Sequence, residues 1–391
     1  MKDLKSNRLH IGIFGKTNVG KSSVLNRITG QDVSVVSDIA GTTTDVVEKS
    51  MELLPIGPVT FLDTAGIDDK SELGYKRIEK TFKTINRIDV AVIVTESNNL
   101  DADEKVLIKK LEDLSIPYFI LVNKCDKTNI NTSNNEKNIY TSALYDENLV
   151  FKFKDILVKT LPAQYLDTPA IASDLVKKGS TVILVVPIDK EAPKGRLILP
   201  QVQTIRDLLD GNIMVYTVKD SELDLALKNL KTSPSLVITD SQAFKKVDDI
   251  VPKEIPLTSF SILFARLKGD LKVFAKGAET INELEDEDKI LILESCCHHA
   301  IEDDIGKVKI PNLLKKRTGK NLIFEHYSGH DFPDVSNYKL IIHCGACMTN
   351  RREVLSRIII AQNKGVAITN YGMAISYCLG IMQRAMKPFN T

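Results

Sequence analysis

An excess of charge of either sign is missing from this sequence. Its 391 residues carry 52 lysines and arginines against 51 aspartates and glutamates, a formal net charge of +1. A protein that lives by gripping nucleic acid usually carries a basic excess, so no nucleic-acid partner is expected. Long apolar runs are missing too. Nothing approaches the ~18 residues that crossing a bilayer needs, residues 181–188 being among the longest, and no membrane partner is expected. The first ten residues are charged and lead straight into a strand-like segment, unlike a signal peptide. Cysteine is scarce, six in all. Without an export signal these read as reduced thiols, metal ligands or nucleophiles, not as a disulfide framework. The expected compartment is the cytoplasm. Ordinary hydrophobic and charged fractions, 43% and 26%, exclude collagen-like, disordered and low-complexity chains.

The length predicts two to three domains at roughly 150 residues each. Over the first 160 residues, short β-branched runs (9–15, 59–63, 89–95, 118–122) alternate with helically spaced stretches such as 21–29. This is the rhythm of a mostly parallel sheet covered on both faces. Residues 161–180, with two prolines, read as a linker. A second α/β unit follows, with strands near 181–188, 213–218 and 236–239. It holds no polar cluster that suggests chemistry, so it reads as a structural or subunit-contact domain. A third starts near 265, with strands near 290–293, 321–325, 339–342 and 365–369. No sequence repeat links the second and third units. The expectation is an α/β chain: a nucleotide-binding domain over 1–168, a dimerisation domain over 169–264 and a metal-binding domain over 265–391.

Gly15, Gly20, Lys21 and Ser22 fit G-x-x-x-x-G-K-S between a strand and a helix. Glycines let successive N–H groups face phosphate, with Lys21 on the β- and γ-phosphates and Ser22 on Mg²⁺. Asp63-Thr-Ala-Gly66 closes the next strong strand. Asp63 there holds magnesium through water, and Gly66 gives its N–H to the γ-phosphate. Asn123-Lys124-Cys125-Asp126 closes a later strand. A carboxylate at Asp126 accepts from guanine's ring N–H and exocyclic amine, donors that adenine does not present in that arrangement, while the stem of Lys124 covers the base. Ser142-Ala143-Leu144 follows another short strand. Together these make a GTP site.

Their order and wording resemble the TrmE–Era group of GTPases. That resemblance implies that Thr42 or Thr43 is the switch threonine on Mg²⁺. It implies that Asn18 helps hold K⁺ near the transferring phosphate, although Asn18 also reads as a plain turn residue. Ile67 stands where Ras-like proteins carry their water-orienting glutamine, and Glu72 is a weak substitute. The expected nucleotide contacts are Asn18, Val19, Gly20, Lys21, Ser22, Ser23, Thr42, Thr43, Asp63, Gly66, Asn123, Lys124, Asp126, Ser142, Ala143 and Leu144. Of these, Lys21, Asn18, Thr43 and Gly66 serve turnover.

Four of the six cysteines (Cys296, Cys297, Cys344, Cys347) and five of the six histidines (His298, His299, His326, His330, His343) fall between 296 and 347. Cys296 follows one predicted strand and His343-Cys344-Gly-Ala-Cys347 follows another. Parallel strands bring their carboxyl ends to one edge, so the two groups can converge. Three thiols with nearby imidazoles favour metal over a redox pair or buried small residues. Cysteine count alone leaves a structural zinc of Cys₃His type and an iron–sulfur cluster both open. Cys125 and Cys378 read as structural, and His299, His326 and His330 as supporting or surface residues.

Cys296-x-His298 followed by His343-Cys344-x-x-Cys347, downstream of this type of GTPase domain, resembles the HydF family of FeFe-hydrogenase maturation GTPases along the whole chain. The resemblance implies a 4Fe-4S cluster on Cys296, Cys344 and Cys347 with an open fourth position. It also implies a scaffold or carrier role for the di-iron subcluster. The implied partners are a second copy of the chain, the radical-SAM maturases and apo-hydrogenase. Cys297 stands between the two motif residues, so a register using it in place of Cys296 stays open. His298 and His343 are left as iron ligands, supporting donors or packed imidazoles. The competing expectation is a ribosome- or RNA-associated GTPase with a structural zinc site.

Overall fold

The computed structural model describes residues 8–30, 47–54, 56–68, 72–127, 137–162, 169–188, 197–295, 304–330, 332–347 and 349–389. The chain divides into two compact units, Met1–Thr168 and Pro169–Thr391. Among the described residues no helix is long and apolar enough to cross a membrane.

The first unit runs β1 (Leu9–Gly15), α1 (Lys21–Thr29), β2 (Val47–Leu53), β3 (Gly57–Asp63), α2 (Glu72–Ile85), β4 (Val90–Thr95), α3 (Ala102–Asp113), β5 (Tyr118–Val122), β6 (Asn138–Tyr140) and α4 (Leu149–Thr160). Its sheet has the order β2-β3-β1-β4-β5-β6. Every pairing is parallel except β2 with β3. Strands β1 and β4 are buried at every position, as continuous apolar runs in a doubly covered sheet must be. Helix α1 turns Val24, Leu25 and Ile28 inward. Helix α3 opens with a capping box, Asp101 accepting from the Glu104 N–H and Glu104 from the Asp101 N–H. Strand β2 was not expected: its polar, alternating residues lack the apolar run that marks a buried strand.

The second unit runs β7 (Thr181–Val185), α5 (Leu199–Asp210), β8 (Met214–Val218), α6 (Leu223–Asn229), β9 (Leu236–Thr239), α7 (Phe244–Ile250), β10 (Leu257–Ser259), α8 (Phe260–Lys268), α9 (Leu271–Glu279), β11 (Lys289–Glu294), α10 (Ile310–Thr318), β12 (Ile323–Ser328), β13 (Leu340–His343), α11 (Arg351–Asn363), β14 (Ala367–Asn370), α12 (Tyr371–Cys378) and α13 (Met382–Met386). Two four-stranded sheets result, ordered β10-β9-β7-β8 and β12-β11-β13-β14. All their pairings are parallel. The end of the expected linker is not free. Asp207 of α5 accepts the N–H groups of Ile171, Ala172 and Ser173 at 2.8–3.1 Å and pins that stretch to this unit.

These two sheets are the same sheet built twice. Each starts at an inner strand, adds the next strand on one side, then returns for two on the other. Registers correspond as well: Val185 pairs with Thr239 and Thr239 with Ser259, as Leu293 pairs with His343 and His343 with Asn370. Ser259 and Asn370 then cap the helices that follow directly, α8 and α12. The sequence hides the repeat because the residues at equivalent strand ends differ, Asp240 standing where the second sheet has Cys344. One hydrophobic cluster joins both sheets, containing Ile183, Val237 and Ile262 with Leu291, Ile341 and Ile368.

Gly277 of α9 lies against β14 so closely that a Cβ there would stand 1.9 Å from the Ile368 carbonyl oxygen. Backbone cannot yield as a flexible side chain can. Gly277→Ala is expected to cost about 1–3 kcal/mol, read as a lower urea midpoint for unfolding of the second unit.

Candidate functional site

The parallel strands of the first unit deliver β1, β3, β4, β5 and β6 to one edge, and the predicted nucleotide motifs lie there. The loop after β1 closes on its own lysine. Lys21, 9% exposed, donates to the carbonyls of Gly15 at 3.0 Å and Lys16 at 2.6 Å. Burial lowers its ammonium from the usual lysine range, while the carboxylates of Asp63 and Asp68 pull the other way. Gly20 begins α1 with φ at +93°, and a Cβ there would lie 2.3 Å from the Asn123 amide nitrogen. Asn18 also takes a left-handed conformation, φ +64°.

The structure brings together Ser22 and Asp63, two of the residues expected at magnesium. Ser22 donates to Asp63 at 3.3 Å. The other carboxylate oxygen of Asp63 is buried without a hydrogen-bond partner. Burial raises that carboxyl from its ordinary range, against the pull of Lys21 and the Ser22 hydroxyl. An orphaned buried oxygen beside a hydroxyl on the phosphate loop suits a hydrated divalent cation.

Asn123 is the tie of the site. Its amide donates to the Val19 carbonyl at 2.9 Å, and its oxygen accepts the Ala143 N–H at 2.9 Å. One side chain therefore fixes both the phosphate loop and the Ser142–Leu144 loop. Lys124 donates to the Asn18 carbonyl at 2.6 Å and pairs with Glu96 at 2.5 Å. Asp126 stands exposed beyond it, open to a base. Cys125 is set between β5 and β6, its N–H on the Thr141 carbonyl at 3.1 Å. Ser22, Ser23 and Leu144 are exposed, and Val19 is buried. Ile67 is 5% exposed, so the place of a water-orienting glutamine is held by a core side chain. Thr42 and Thr43, like the side chain of Glu72, lie outside the described residues.

Two residues went unread in the sequence. Asp68 accepts from the Thr17 N–H and hydroxyl, both at 2.8 Å, joining the Gly66 segment to the phosphate loop. Asp146 accepts from Thr141 at 2.8 Å, Lys152 at 2.7 Å and the Asn148 N–H at 2.9 Å, folding the loop after β6. Neither carries a motif signal beyond being an aspartate near one.

The second site lies between β11 and β13, where the strand order reverses. Cys344 gives its N–H to the Leu293 carbonyl at 2.8 Å. Its sulfur accepts the Ser295 N–H at 3.3 Å. The residue before Cys296 thus touches the first thiol of the C-x-x-C turn. Cys344 and Cys347 are free of disulfides. Burial raises the Cys344 thiol, and N–H groups of Ala346 and Ser295 favour its thiolate. Ala346 turns the loop with φ at +52°. Lys268 reaches this turn from α8, donating to the carbonyls of Ala346 at 2.9 Å, Cys347 at 3.3 Å and Thr349 at 2.7 Å.

His343 is 1% exposed. One ring nitrogen meets the Cys344 carbonyl at 2.8 Å and the other the Arg357 guanidinium at 2.7 Å. A carbonyl only accepts and a guanidinium only donates, so the ring is neutral with its proton on Nδ1. Burial and the Arg357 charge push it down to about 3. Both nitrogens are spent on protein partners. Arg357, itself buried, also donates to Ser295 at 3.0 Å, the Gly329 carbonyl at 2.9 Å and Glu353 at 2.7 Å. Sequence reasoning missed Arg357, Lys268 and Glu353. His330 meets Glu353 at 3.1 Å and His326 is exposed on β12. Burial pushes the Cys378 thiol up to about 12. Cys296, Cys297, His298 and His299 lie outside the described residues, and among the described ones no three histidine, cysteine or acidic side chains are grouped to hold a metal. The donor chemistry still fits a thiophilic centre: two thiols outside any disulfide on one turn, a backbone N–H on one sulfur, and a buried ammonium behind.

Comparison with known proteins divides along the chain. Residues 272–388 match the family described as "Hydrogen maturase F tetramerization domain" and 171–269 the "Hydrogen maturase F dimerization domain". Residues 10–124 match "50S ribosome-binding GTPase". The tRNA modification GTPase MnmE of Caldicellulosiruptor saccharolyticus is 36% identical over 145 residues, 35% of this chain and 31% of that protein. GTPase Der of Wolinella succinogenes is 40% identical over 125 residues, 30% of this chain and 26% of that protein. The chain spans less than a third of the length of these curated relatives. A structure of Aquifex aeolicus Era aligns with 54% of this chain and 94% of its own at 20% identity, with a TM-score of 0.33.

Proposed function

The chain belongs to the hydrogen maturase F (HydF) family, and from that premise we propose that it is a GTP hydrolase acting as scaffold or carrier for the di-iron subcluster in maturation of FeFe-hydrogenase. Its work divides among residues 1–168, which bind nucleotide, 169–264, which dimerise, and 265–391, which hold a 4Fe-4S cluster on Cys296, Cys344 and Cys347. Its partners are the radical-SAM maturases and apo-hydrogenase, and its compartment is the cytoplasm. The observation that carries the cluster reading is the 3.3 Å contact from the Ser295 N–H to the Cys344 sulfur. It sets Ser295, the residue before Cys296 in the sequence, against the first thiol of the C-x-x-C turn.

On the nucleotide, Lys21 and the loop N–H groups neutralise the β- and γ-phosphates as charge develops on them. For Lys21 to turn to phosphate it must leave the Gly15 and Lys16 carbonyls. Ser22 and Asp63 hold Mg²⁺, Thr43 joins them, and Gly66 gives its N–H to the γ-phosphate. Asp126 selects guanine, and Asn123 keeps the base and phosphate ends in register. A potassium ion at Asn18 would supply positive charge that an arginine finger supplies elsewhere.

At the second site, the cluster would offer one iron without a cysteine ligand, where an incoming metallocofactor can attach. The chain's own residues set the stage for it. Arg357 fixes Ser295 and His343, and Glu353 fixes Arg357. His343 serves as a strut in this reading, since neither ring nitrogen is free.

The nucleotide reading is tested by GTP turnover in potassium and in sodium at matched ionic strength. The parent should be slow in both and faster in potassium, and Asn18→Ala should erase that difference. Asp126→Asn should weaken GTP binding by about 1–3 kcal/mol, because its amide presents an unpaired donor to the guanine edge. Equal parental rates remove the potassium site, and undiminished GTP binding by the folded Asp126→Asn protein removes the guanine assignment.

The cluster reading is tested by iron content and visible spectrum after anaerobic reconstitution. Cys344→Ala, Cys347→Ala and Cys296→Ala should each lose iron and the ability to activate hydrogenase, while Cys297→Ala keeps both. Tightly bound zinc without iron in all of them, the parent included, would favour the structural-zinc GTPase instead.

Dimerisation is supported by the edge strand β8, where Met214 and Tyr216 are 57% and 47% exposed. An uncovered edge strand bearing apolar side chains invites pairing with a second chain. Met214→Glu combined with Tyr216→Glu should lower the mass seen in light scattering to that of a smaller assembly. An unchanged mass would move the contact elsewhere.

A further inference from the structure

Lys268 is the last residue of α8, which follows the first of the two repeated sheets, yet its ammonium lies inside the cysteine turn of the second. It is 3% exposed. All three of its protons are directed at carbonyls of one loop, those of Ala346, Cys347 and Thr349. Carbonyl dipoles solvate the ammonium but do not cancel its charge. Among the described residues it forms no ion pair with a carboxylate, and Glu353, whose charge acts on it, is engaged by Arg357 at 2.7 Å and His330 at 3.1 Å. Burial pulls the ammonium down to about 8, and the sulfurs of Cys347 and Cys344 and the Glu353 carboxylate act against that fall. A buried cation without a counter-ion is expensive. Thiolates ligating an iron–sulfur cluster would supply the missing negative charge.

We propose that Lys268 is a positioning residue for the cluster: it shapes the Cys344–Cys347 turn through three carbonyls and sets a positive charge beside the cluster that favours its reduced form. This rests on the cluster reading above. Reduction adds an electron to a centre whose thiolates already make it anionic, and cluster potentials follow local charge, hydrogen bonding and burial. A fixed ammonium lowers the cost of that electron, and in a water-poor pocket its effect is weakly screened. Arg357 contributes a second buried cation, paired with Glu353 at 2.7 Å, whereas Lys268 has no such carboxylate among the described residues.

The experiment uses the full chain, reconstituted anaerobically with iron and sulfide, in parent, Lys268→Gln and Lys268→Arg forms. Iron content, circular dichroism and a redox titration followed by electron paramagnetic resonance are read on each. Lys268→Gln keeps two donors for the loop without the charge. It should hold iron, and its reduced-to-oxidised ratio at a fixed potential should fall about tenfold, equivalent to about 59 mV for a one-electron couple. Lys268→Arg should stay near the parent. Iron retained by the arginine variant at the parental potential but lost from the folded glutamine variant supports the same conclusion. Parental potential in an iron-loaded Lys268→Gln protein overturns the proposal, as does equal loss of iron from both folded variants, which would make the lysine a strut alone. A parent that takes up no iron fails at the earlier step, and removes the cluster reading together with this one.

Discussion

Parallel strands cannot choose where their ends go. Once β1, β3, β4, β5 and β6 run the same way, their carboxyl ends meet at one edge. Phosphate loop, Asp63, Asn123 and the Ser142 loop are then neighbours, although 41 to 123 residues separate their positions from that of Ser22 or Val19 in various pairs. The same constraint acts between β11 and β13, where the order of strands reverses. Both sites follow from sheet direction before any particular side chain is considered.

What sheet direction leaves loose, buried polar side chains tighten. Asn123 joins two loops through a donor and an acceptor of one amide, and no single apolar residue could replace both. Arg357 does more, with its guanidinium spread over Ser295, His343, Gly329 and Glu353. Such a group is costly to bury and costlier to leave half paired, so it tolerates few alternative arrangements of the loops it holds. That intolerance is what makes the surroundings of the thiols definite.

The sequence disclosed those parts of the sites whose chemistry is local. A phosphate loop is read from eight neighbouring residues, and the guanine motif from four, because strand, turn and helix supply the rest. Apolar runs marked β1, β4, β5, β7, β9, β11 and β13 for the same reason. Strand β2 escaped because an edge strand needs no apolar run, and β10 because three residues make no pattern. Lys268 and Arg357 escaped for a different reason. Lys268 meets its loop across 78 to 81 positions, and Arg357 meets Ser295 across 62. In the sequence each is one basic residue on a helix, indistinguishable from a solvated one. The repeat of the two sheets was hidden because its halves share topology and register but not the residues at their ends.

The doubled sheet bears on how the second unit comes apart. Its halves do not have separate interiors: Ile183, Val237 and Ile262 belong to one cluster with Leu291, Ile341 and Ile368. The Asn370 amide, which begins α12, donates at 2.9 Å to the Ser261 carbonyl of α8, the counterpart helix of the other half. Exposing one half to solvent would strip apolar surface from the other, so the two should melt as a single cooperative block. A cut between residues 269 and 272, where the family boundaries fall, would therefore leave two sticky fragments in place of two domains. Exchange of backbone amides deep in β9 and in β13 would then share one opening free energy, and a perturbation felt at either sheet would be paid for in the protection of both.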